Sequence, residues 1–235
     1  MKLGIALGLG LLSSTVLAKE LPNIPANCAD DVAQVGYCST VNAPTFRGPI
    51  EIQFFVVVEK ASFPTVESVL GRYLSFDNWP AYAESTETDA LLFNKSVRMA
   101  DIKQDNETIF RHFYDYRLKS PIGYQNVRGV TFNSRVTPYA GALASLEFEA
   151  QNTGAQEVPA GEKLLVGSEG VKFQTGAVHA VSCAATNFCD DTQWLLVYET
   201  KLQPEIDLLP KVAATSIQAG IEALLVGMLF NDVAL

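Results

Sequence analysis

Two histidines, four cysteines and a set of clustered tyrosines are the residues of this 235-residue chain best equipped for chemistry. His112 lies in Phe110-Arg111-His112-Phe113-Tyr114-Asp115-Tyr116-Arg117-Leu118, and His179 closes Val171-Lys172-Phe173-Gln174-Thr175-Gly176-Ala177-Val178-His179. Both stretches read as strands, whose successive side chains point to opposite faces. In the first, Phe110, His112, Tyr114, Tyr116 and Leu118 form the more apolar set, against Arg111, Asp115 and Arg117. In the second, Val171, Phe173, Thr175, Ala177 and His179 stand against Lys172 and Gln174. Both histidines are therefore expected on an inner face, where an imidazole titrating near neutral pH could share proton transfer with a tyrosine. The competing and preferred reading is a histidine whose ring nitrogens are satisfied within a core. Glu147 and Glu149 have the opposite parity from Leu146 and Phe148, so no carboxylate is expected beside the histidines. No nucleophile motif accompanies them, and catalysis is left unsupported.

The cysteines fall as two local pairs, Cys28 with Cys38 and Cys183 with Cys189. Neither pair has redox CxxC spacing, and His179 alone does not complete a four-ligand zinc site. Two disulfides in an oxidising compartment are expected, with no metal and no cofactor. The chain start agrees. Met1-Lys2 precedes an apolar run from Leu3 to Leu12, a polar break at Ser13-Ser14-Thr15, and the small-residue ending Val16-Leu17-Ala18. This is the pattern of a secretory signal cleaved after Ala18, and the run is short of the roughly 20 apolar residues of a membrane span. A secreted protein is expected, with the periplasm as first compartment. Asn94-Lys95-Ser96 and Asn106-Glu107-Thr108 match the N-glycosylation pattern and leave a eukaryotic secreted origin open. Loss of Lys2 with the signal takes the formal net charge from -9 to -10. Lysines and arginines are scattered, which argues against a nucleic-acid partner.

The elements that must position these residues follow along the chain. Residues 19-49, with Pro22, Pro25, Pro44 and Pro49, read as an irregular, disulfide-stapled extension, and 50-235 as one domain. Ile50 to Val58 is β-branched and aromatic, the first strand. A helix is expected from Ser62, as cap, to Leu74, with Pro64 early and Val66, Val69, Leu70 and Tyr73 at helical spacing. A second short helix is expected over Phe76 to Ala83. Strands are then expected at Ala90 to Met99, Thr108 to Lys119, Asn126 to Thr137, Leu143 to Gln151, Leu164 to Val181 with an interruption at Gly167-Ser168-Glu169-Gly170, and Gln193 to Leu202. Short turn clusters such as Pro121-Ile122-Gly123 and Asn152-Thr153-Gly154 join them into an antiparallel meander. Asp207 to Phe230 closes the chain as a buried amphipathic helix that can cover one face of the sheet.

Two segments carry a resemblance. Phe63-Pro64-Thr65-Val66-Glu67-Ser68-Val69-Leu70, followed by Tyr73-Leu74-Ser75-Phe76-Asp77-Asn78-Trp79-Pro80-Ala81-Tyr82, resembles the early helical signature of START-like and polyketide cyclase-like proteins of the SRPBCC type. Trp194 to Pro204, then Leu208-Leu209-Pro210 and the final helix, is similar to that superfamily's last strand running into its gripping helix. The resemblance covers Ile50 to Phe230 and implies an α+β helix-grip fold: a curved antiparallel sheet of about seven strands wrapped around a long C-terminal helix, with two short helices after the first strand. The cysteine pairs depart from the family pattern.

The resemblance also implies a cavity between sheet and helix for a hydrophobic small molecule or lipid, held or transferred rather than transformed, with room for transient membrane contact. With Trp194, Leu196, Tyr198, Thr200 and Leu202 inward on the last strand, the candidate cavity residues are Trp79, His112, Tyr114, Tyr116, Phe173, His179, Trp194 and Tyr198. Trp79 could equally be a packing residue locked by Pro80. Arg111, Arg117, Arg128 and Arg135 are expected on a solvated sheet face, with anionic head groups as the alternative. Two other functions stay in view: a cyclase or dehydratase using His112 and His179, and an interaction module presenting residues 22-49 with its cavity closed by side chains.

Overall fold

The structure is a computed structural model and describes residues 19-46, 48-86, 88-105, 107-151, 159, 171-186, 188-204 and 209-231. The expected signal sequence, the turn at Asn152-Thr153-Gly154, the interruption at 167-170 and the Asn106 glycosylation site lie outside these residues. The elements in chain order are α1 (Cys28–Val35), β1 (Tyr37–Asn42), β2 (Ile50–Glu59), α2 (Val66–Tyr73), a 3-10 turn at Phe76–Asn78, α3 (Trp79–Glu84), β3 (Leu91–Arg98), β4 (Ile102–Gln104), β5 (Glu107–Ser120), β6 (Gly123–Val136), β7 (Ala142–Gln151), β8 (Val171–Ser182), β9 (Gln193–Pro204) and α4 (Pro210–Phe230). This is the α+β helix-grip arrangement.

All nine strands join one antiparallel sheet in the order β1-β2-β9-β8-β7-β6-β5-β3, with β4 beside β5. The count exceeds the expected seven by β1 and β4. Neither alternates in a readable way: β1 is short and polar, and β4 has three exposed residues. β1 is pinned instead by its register on β2, Tyr37 opposite Val56 through Asn42 opposite Glu51, and by the Cys28–Cys38 disulfide. The segment expected to be irregular thus supplies a helix and an edge strand. α1 ends at Gly36, whose φ of 82° lets its N–H return to Val32 O.

α2 begins later than expected. Thr65, not Ser62, is the cap, and its hydroxyl accepts from the Ser68 N–H while the Ser68 hydroxyl accepts from the Thr65 N–H. The N–H groups of Ser62 and Phe63 turn back to Glu59 O, which closes β2 before the helix can start.

The main core fills the concave side of the sheet. Phe54, Val56 and Val58 of β2, Leu146 and Phe148 of β7, Val178 and Ala180 of β8, and Leu196 and Tyr198 of β9 meet Leu224, Leu225, Met228 and Leu229 of α4. The convex side is covered as well. Cys28 and Val32 of α1 and Cys38 pack on Phe55, Val57, Val181, Leu195 and Val197, together with the second disulfide at Cys183–Cys189. β2 is therefore buried on both faces from Phe54 to Val58, which read as a continuous apolar run.

Burial on both faces reverses the expected parity of β8. Val178 and Ala180 face the main core and Gln174 the concave side, whereas His179 turns outward. Gly176 is inward because a Cβ there would lie 2.3 Å from the Phe148 ring. The concave face of β8 takes small residues to admit the large rings of its neighbours, so its bulkier residues are the wrong guide to direction. Two of the four arginines, Arg111 and Arg128, also depart from expectation, while Arg117 and Arg135 are exposed as expected. Arg111 is only 6% exposed, and Arg128 forms a largely buried pair with Asp115. Arg135 pairs with Glu67, and Arg117 lies over Tyr124 at 5.6 Å.

α4 approaches α3 so closely that a Cβ at Gly227 would sit 1.8 Å from Tyr82 O. Gly71, exposed on α2, has nothing within 4 Å of its missing Cβ. Gly227→Ala should therefore destabilise the protein by about 1-3 kcal/mol or more through forced separation of the helices. Gly71→Ala should stabilise it by about 0.5-1 kcal/mol through helix propensity. Urea unfolding of the two variants checks both signs.

Candidate functional site

A cavity remains between the concave face and α4. Tyr73 and Trp79 line it from the helices, Leu91 and Phe93 from β3, and His112, Tyr114, Tyr116 and Leu118 from β5. Val127 and Thr131 of β6, Phe148 of β7, Gln174 of β8, and Tyr198 and Leu202 of β9 continue the wall, and Ile217, Gly220, Ile221, Leu224 and Leu225 of α4 close it. The space between atoms, mouth included, is about 930 Å³, and most of it is narrow. No aspartate, glutamate, lysine or arginine is among the described residues that line it.

The sequence-derived candidates divide cleanly. Trp79, His112, Tyr114, Tyr116 and Tyr198 line the cavity; Phe173, His179 and Trp194 do not. Phe173 is half-buried at a register shift between β8 and β9. Trp194 has the expected inward parity but packs beyond the cavity. Its indole N–H donates to Phe63 O at 2.8 Å, and the Lys60 ammonium lies 4.3 Å above its ring. Tyr73, Phe93, Val127 and Thr131 join the wall without having been candidates. Tyr73 already belonged to the helical apolar stripe of α2, a sufficient signal for burial though not for its neighbours.

Trp79 turns out to be both packing residue and wall. Its indole N–H donates to Tyr73 O at 2.9 Å, which locks the ring edge-on to His112 at 4.5 Å. His112 is wholly buried and stacked on Phe76 at 4.3 Å. The Ser96 hydroxyl donates to Phe76 O and sits 2.8 Å from His112 Nε2, so it accepts the proton that Nε2 carries. Asn133 Nδ2 donates to Thr131 Oγ1 at 3.2 Å, leaving the Thr131 proton for His112 Nδ1 at 3.5 Å. Both ring nitrogens are thus committed to neighbours of a neutral imidazole, which fits the satisfied-core reading. Desolvation lowers the His112 pKa to about 3.

Four tyrosines give the apolar wall its polar points. Burial raises the phenol pKa of Tyr73, Tyr114, Tyr116 and Tyr198, so all four stay protonated at physiological pH. The Tyr198 hydroxyl lies within hydrogen-bonding reach of Thr200 and Gln174. The Tyr114 hydroxyl is buried with no hydrogen-bond partner among the described residues. It lies over Gly129, where a Cβ would come within 2.5 Å of it.

His179 sits on the other side of the sheet, wholly buried in a polar cluster. The Tyr139 N–H donates to Ser145 Oγ at 3.2 Å, and the Ser145 hydroxyl donates to His179 Nδ1 at 2.8 Å. His179 Nε2 then faces Glu199 Oε1 at 3.4 Å. The Tyr139 ring packs on the imidazole at 4.3 Å, and its hydroxyl donates at 2.8 Å to Glu147, which also pairs with Lys19. Carboxylates therefore do stand near a histidine, contrary to expectation, because the parity of β8 is reversed. The hydroxyl, imidazole and carboxylate types of a nucleophilic relay are present, but Ser145 is 2% exposed and already accepts a backbone N–H, so its oxygen faces no substrate space. Among the described residues no group of three or more His, Cys, Asp or Glu side chains is arranged to hold a metal ion.

No protein-family model matches the chain, and no curated protein matches it. Solved structures do. A STAR-related lipid transfer protein from Xanthomonas axonopodis, solved as fragment 25-204, superposes with a TM-score of 0.55 at 15% identity, over 83% of this chain and 92% of that one. Human STARD10 aligns at 11% identity with a TM-score of 0.48, covering 90% of this chain and 82% of its own. The chain has the START-like helix-grip fold, a curled antiparallel sheet closed on a C-terminal helix.

His112 also yields a pH signature. It takes its proton near pH 3 in the folded chain and near its ordinary value of about 6.5 in the unfolded one. The unfolded state therefore gains the proton first as pH falls. The stabilising contribution is complete above about pH 6.5 and is lost progressively on acidification towards pH 3. Between pH 7.5 and pH 5 the wild type should lose about 2 kcal/mol more stability than His112→Gln, as read from urea unfolding at the two pH values.

Proposed function

We propose that this chain, with its START-like fold, binds and carries a hydrophobic small molecule or lipid in the cavity between the sheet and α4. The observation that carries the reading is the wall itself: aliphatic and aromatic side chains from five strands and three helices, no charged group among the described lining residues, and a few hydroxyls with the Gln174 amide. Such a site gains from desolvating a greasy ligand, about 0.8 kcal/mol for each methylene buried, while its few polar groups fix orientation. The lipid-transfer description of the Xanthomonas protein accords with this reading.

The proposed setting is outside the cytosol. Both cysteine pairs are bonded, at sequence separations of 10 and 6, and such bonds persist where thiols are not kept reduced. In this reading Ala18 precedes the mature start, residues 19-49 form the stapled extension, 50-235 form the carrier domain, and the ligand is drawn from a membrane by transient contact. The cyclase or dehydratase alternative loses its paired bases, because His112 and His179 lie on opposite faces of the sheet and His112 has both nitrogens engaged.

Protein purified under native conditions should release a hydrophobic compound into organic solvent, near one equivalent per chain by mass spectrometry. Solvent extracts free of any stoichiometric compound, together with no uptake from lipid vesicles by the purified protein, would overturn the carrier function.

A further inference from the structure

We infer that the occupant of this cavity is a slender, uncharged lipid with one small polar group, of the long-chain alcohol, ester or ketone class, seated on the Tyr114 hydroxyl; the inference rests on the carrier function proposed above. Three features of the wall select that chemistry.

The first is the unpartnered hydroxyl. Tyr114 is 4% exposed and lines the cavity, and its oxygen has no hydrogen-bond partner among the described residues. A buried polar group left unsatisfied is costly, and native structures leave few of them. A phenol offers one proton and can accept one in return. It is therefore completed equally by a carbonyl or ether oxygen that accepts and by a hydroxyl that does both. The neighbouring phenols of Tyr116 and Tyr198 interact electrostatically with Tyr114 and keep the locality polar but uncharged.

The second feature is the lack of any countercharge. A carboxylate or phosphate drawn into this wall would meet no lysine or arginine, and an ammonium would meet no carboxylate. Burying an isolated charge costs far more than one hydrogen bond returns. His112 does not fill that gap, since Ser96 and Thr131 hold both ring nitrogens of the neutral form.

The third feature is shape. The cavity is slender, with the Ile217, Ile221 and Leu224 side of α4 facing the tyrosine wall. A single extended chain or a flat ring system suits it better than a two-chain phospholipid.

The test uses the purified full-length protein and five probes that share an eighteen-carbon chain but differ at the head: oleyl alcohol, methyl oleate, 1-octadecene, oleate at pH 8, and dioleoylphosphatidylcholine. Quenching of tryptophan fluorescence reports binding, since Trp79 is in the wall. Oleyl alcohol and methyl oleate should bind about three- to tenfold tighter than 1-octadecene, the worth of one hydrogen bond. Oleate and the phospholipid should bind at least about tenfold more weakly than the alcohol. Tyr114→Phe should reduce alcohol affinity about three- to tenfold towards that of the hydrocarbon and leave 1-octadecene unchanged, while the thermal midpoint of the empty protein stays level or rises because an orphan hydroxyl is gone. Tyr124→Phe, which removes an exposed phenol outside the cavity, is the control for the substitution itself. Oleate or the phospholipid matching the alcohol, or an alcohol affinity indifferent to Tyr114→Phe, would overturn the ligand class while leaving the carrier function in place. Binding of none of the five would overturn this inference, and the carrier function would stand or fall by the extraction and vesicle-uptake measurements.

Discussion

The structure depends on one packing constraint: a 21-residue apolar helix must be buried along several of its sides at once. A flat sheet could cover only one side, so the strands curl and α4 lies in their concavity while α2 and α3 close over it. Close approach makes this tight. Gly227 lets α4 meet the Tyr82 backbone, and Gly220 admits Leu118 at a point where a Cβ would come within 2.9 Å. On the sheet side, Gly176 and Ala180 yield space to Phe148 and its neighbours. The cavity is what this packing leaves between Ile217, Ile221 and Leu224 of α4 and the tyrosine wall, and its slender form follows from rings rather than aliphatic chains standing on the sheet.

The same sheet carries a second, smaller layer on its convex side. α1 and both disulfides lie over Phe55, Val57, Leu195 and Val197. With both faces of β2, β8 and β9 occupied, polar groups there must find partners inside the protein. His179 does so through Ser145 and Glu199. The polar groups on the concave side differ in kind: few in number, neutral, and in Tyr114 left incomplete.

That contrast separates the two histidines, which have similar burial and unlike surroundings. His112 stands in an aromatic box of Phe76 and Trp79, with only hydroxyls at its nitrogens, and the low dielectric holds it neutral. His179 faces carboxylates. An uncharged imidazole at the cavity wall keeps the whole cavity free of formal charge, and this is the electrostatic condition on which selection for a neutral occupant depends.

The order of the elements, the gripping helix, the inward face of β5 and β9 and the pairing of the cysteines were legible in the residues themselves, because period and spacing are local properties. Four of the eight candidate cavity residues were legible for the same reason, since His112, Tyr114, Tyr116 and Tyr198 lie on strands with one apolar side, and a fifth, Trp79, followed from the family resemblance. The rest was decided by tertiary contact. β1 has no pattern of its own and exists because β2 offers it an edge; β8 points Gln174 and Gly176 inward because Phe148 and Tyr198 need the room. Alternation reports direction most plainly where one face meets water. Where the outer layer buries the second face, the apolar side no longer identifies itself: parity gives the right direction on β9 and the reverse on β8, and only the packed structure shows that the two histidines serve opposite sides of one sheet.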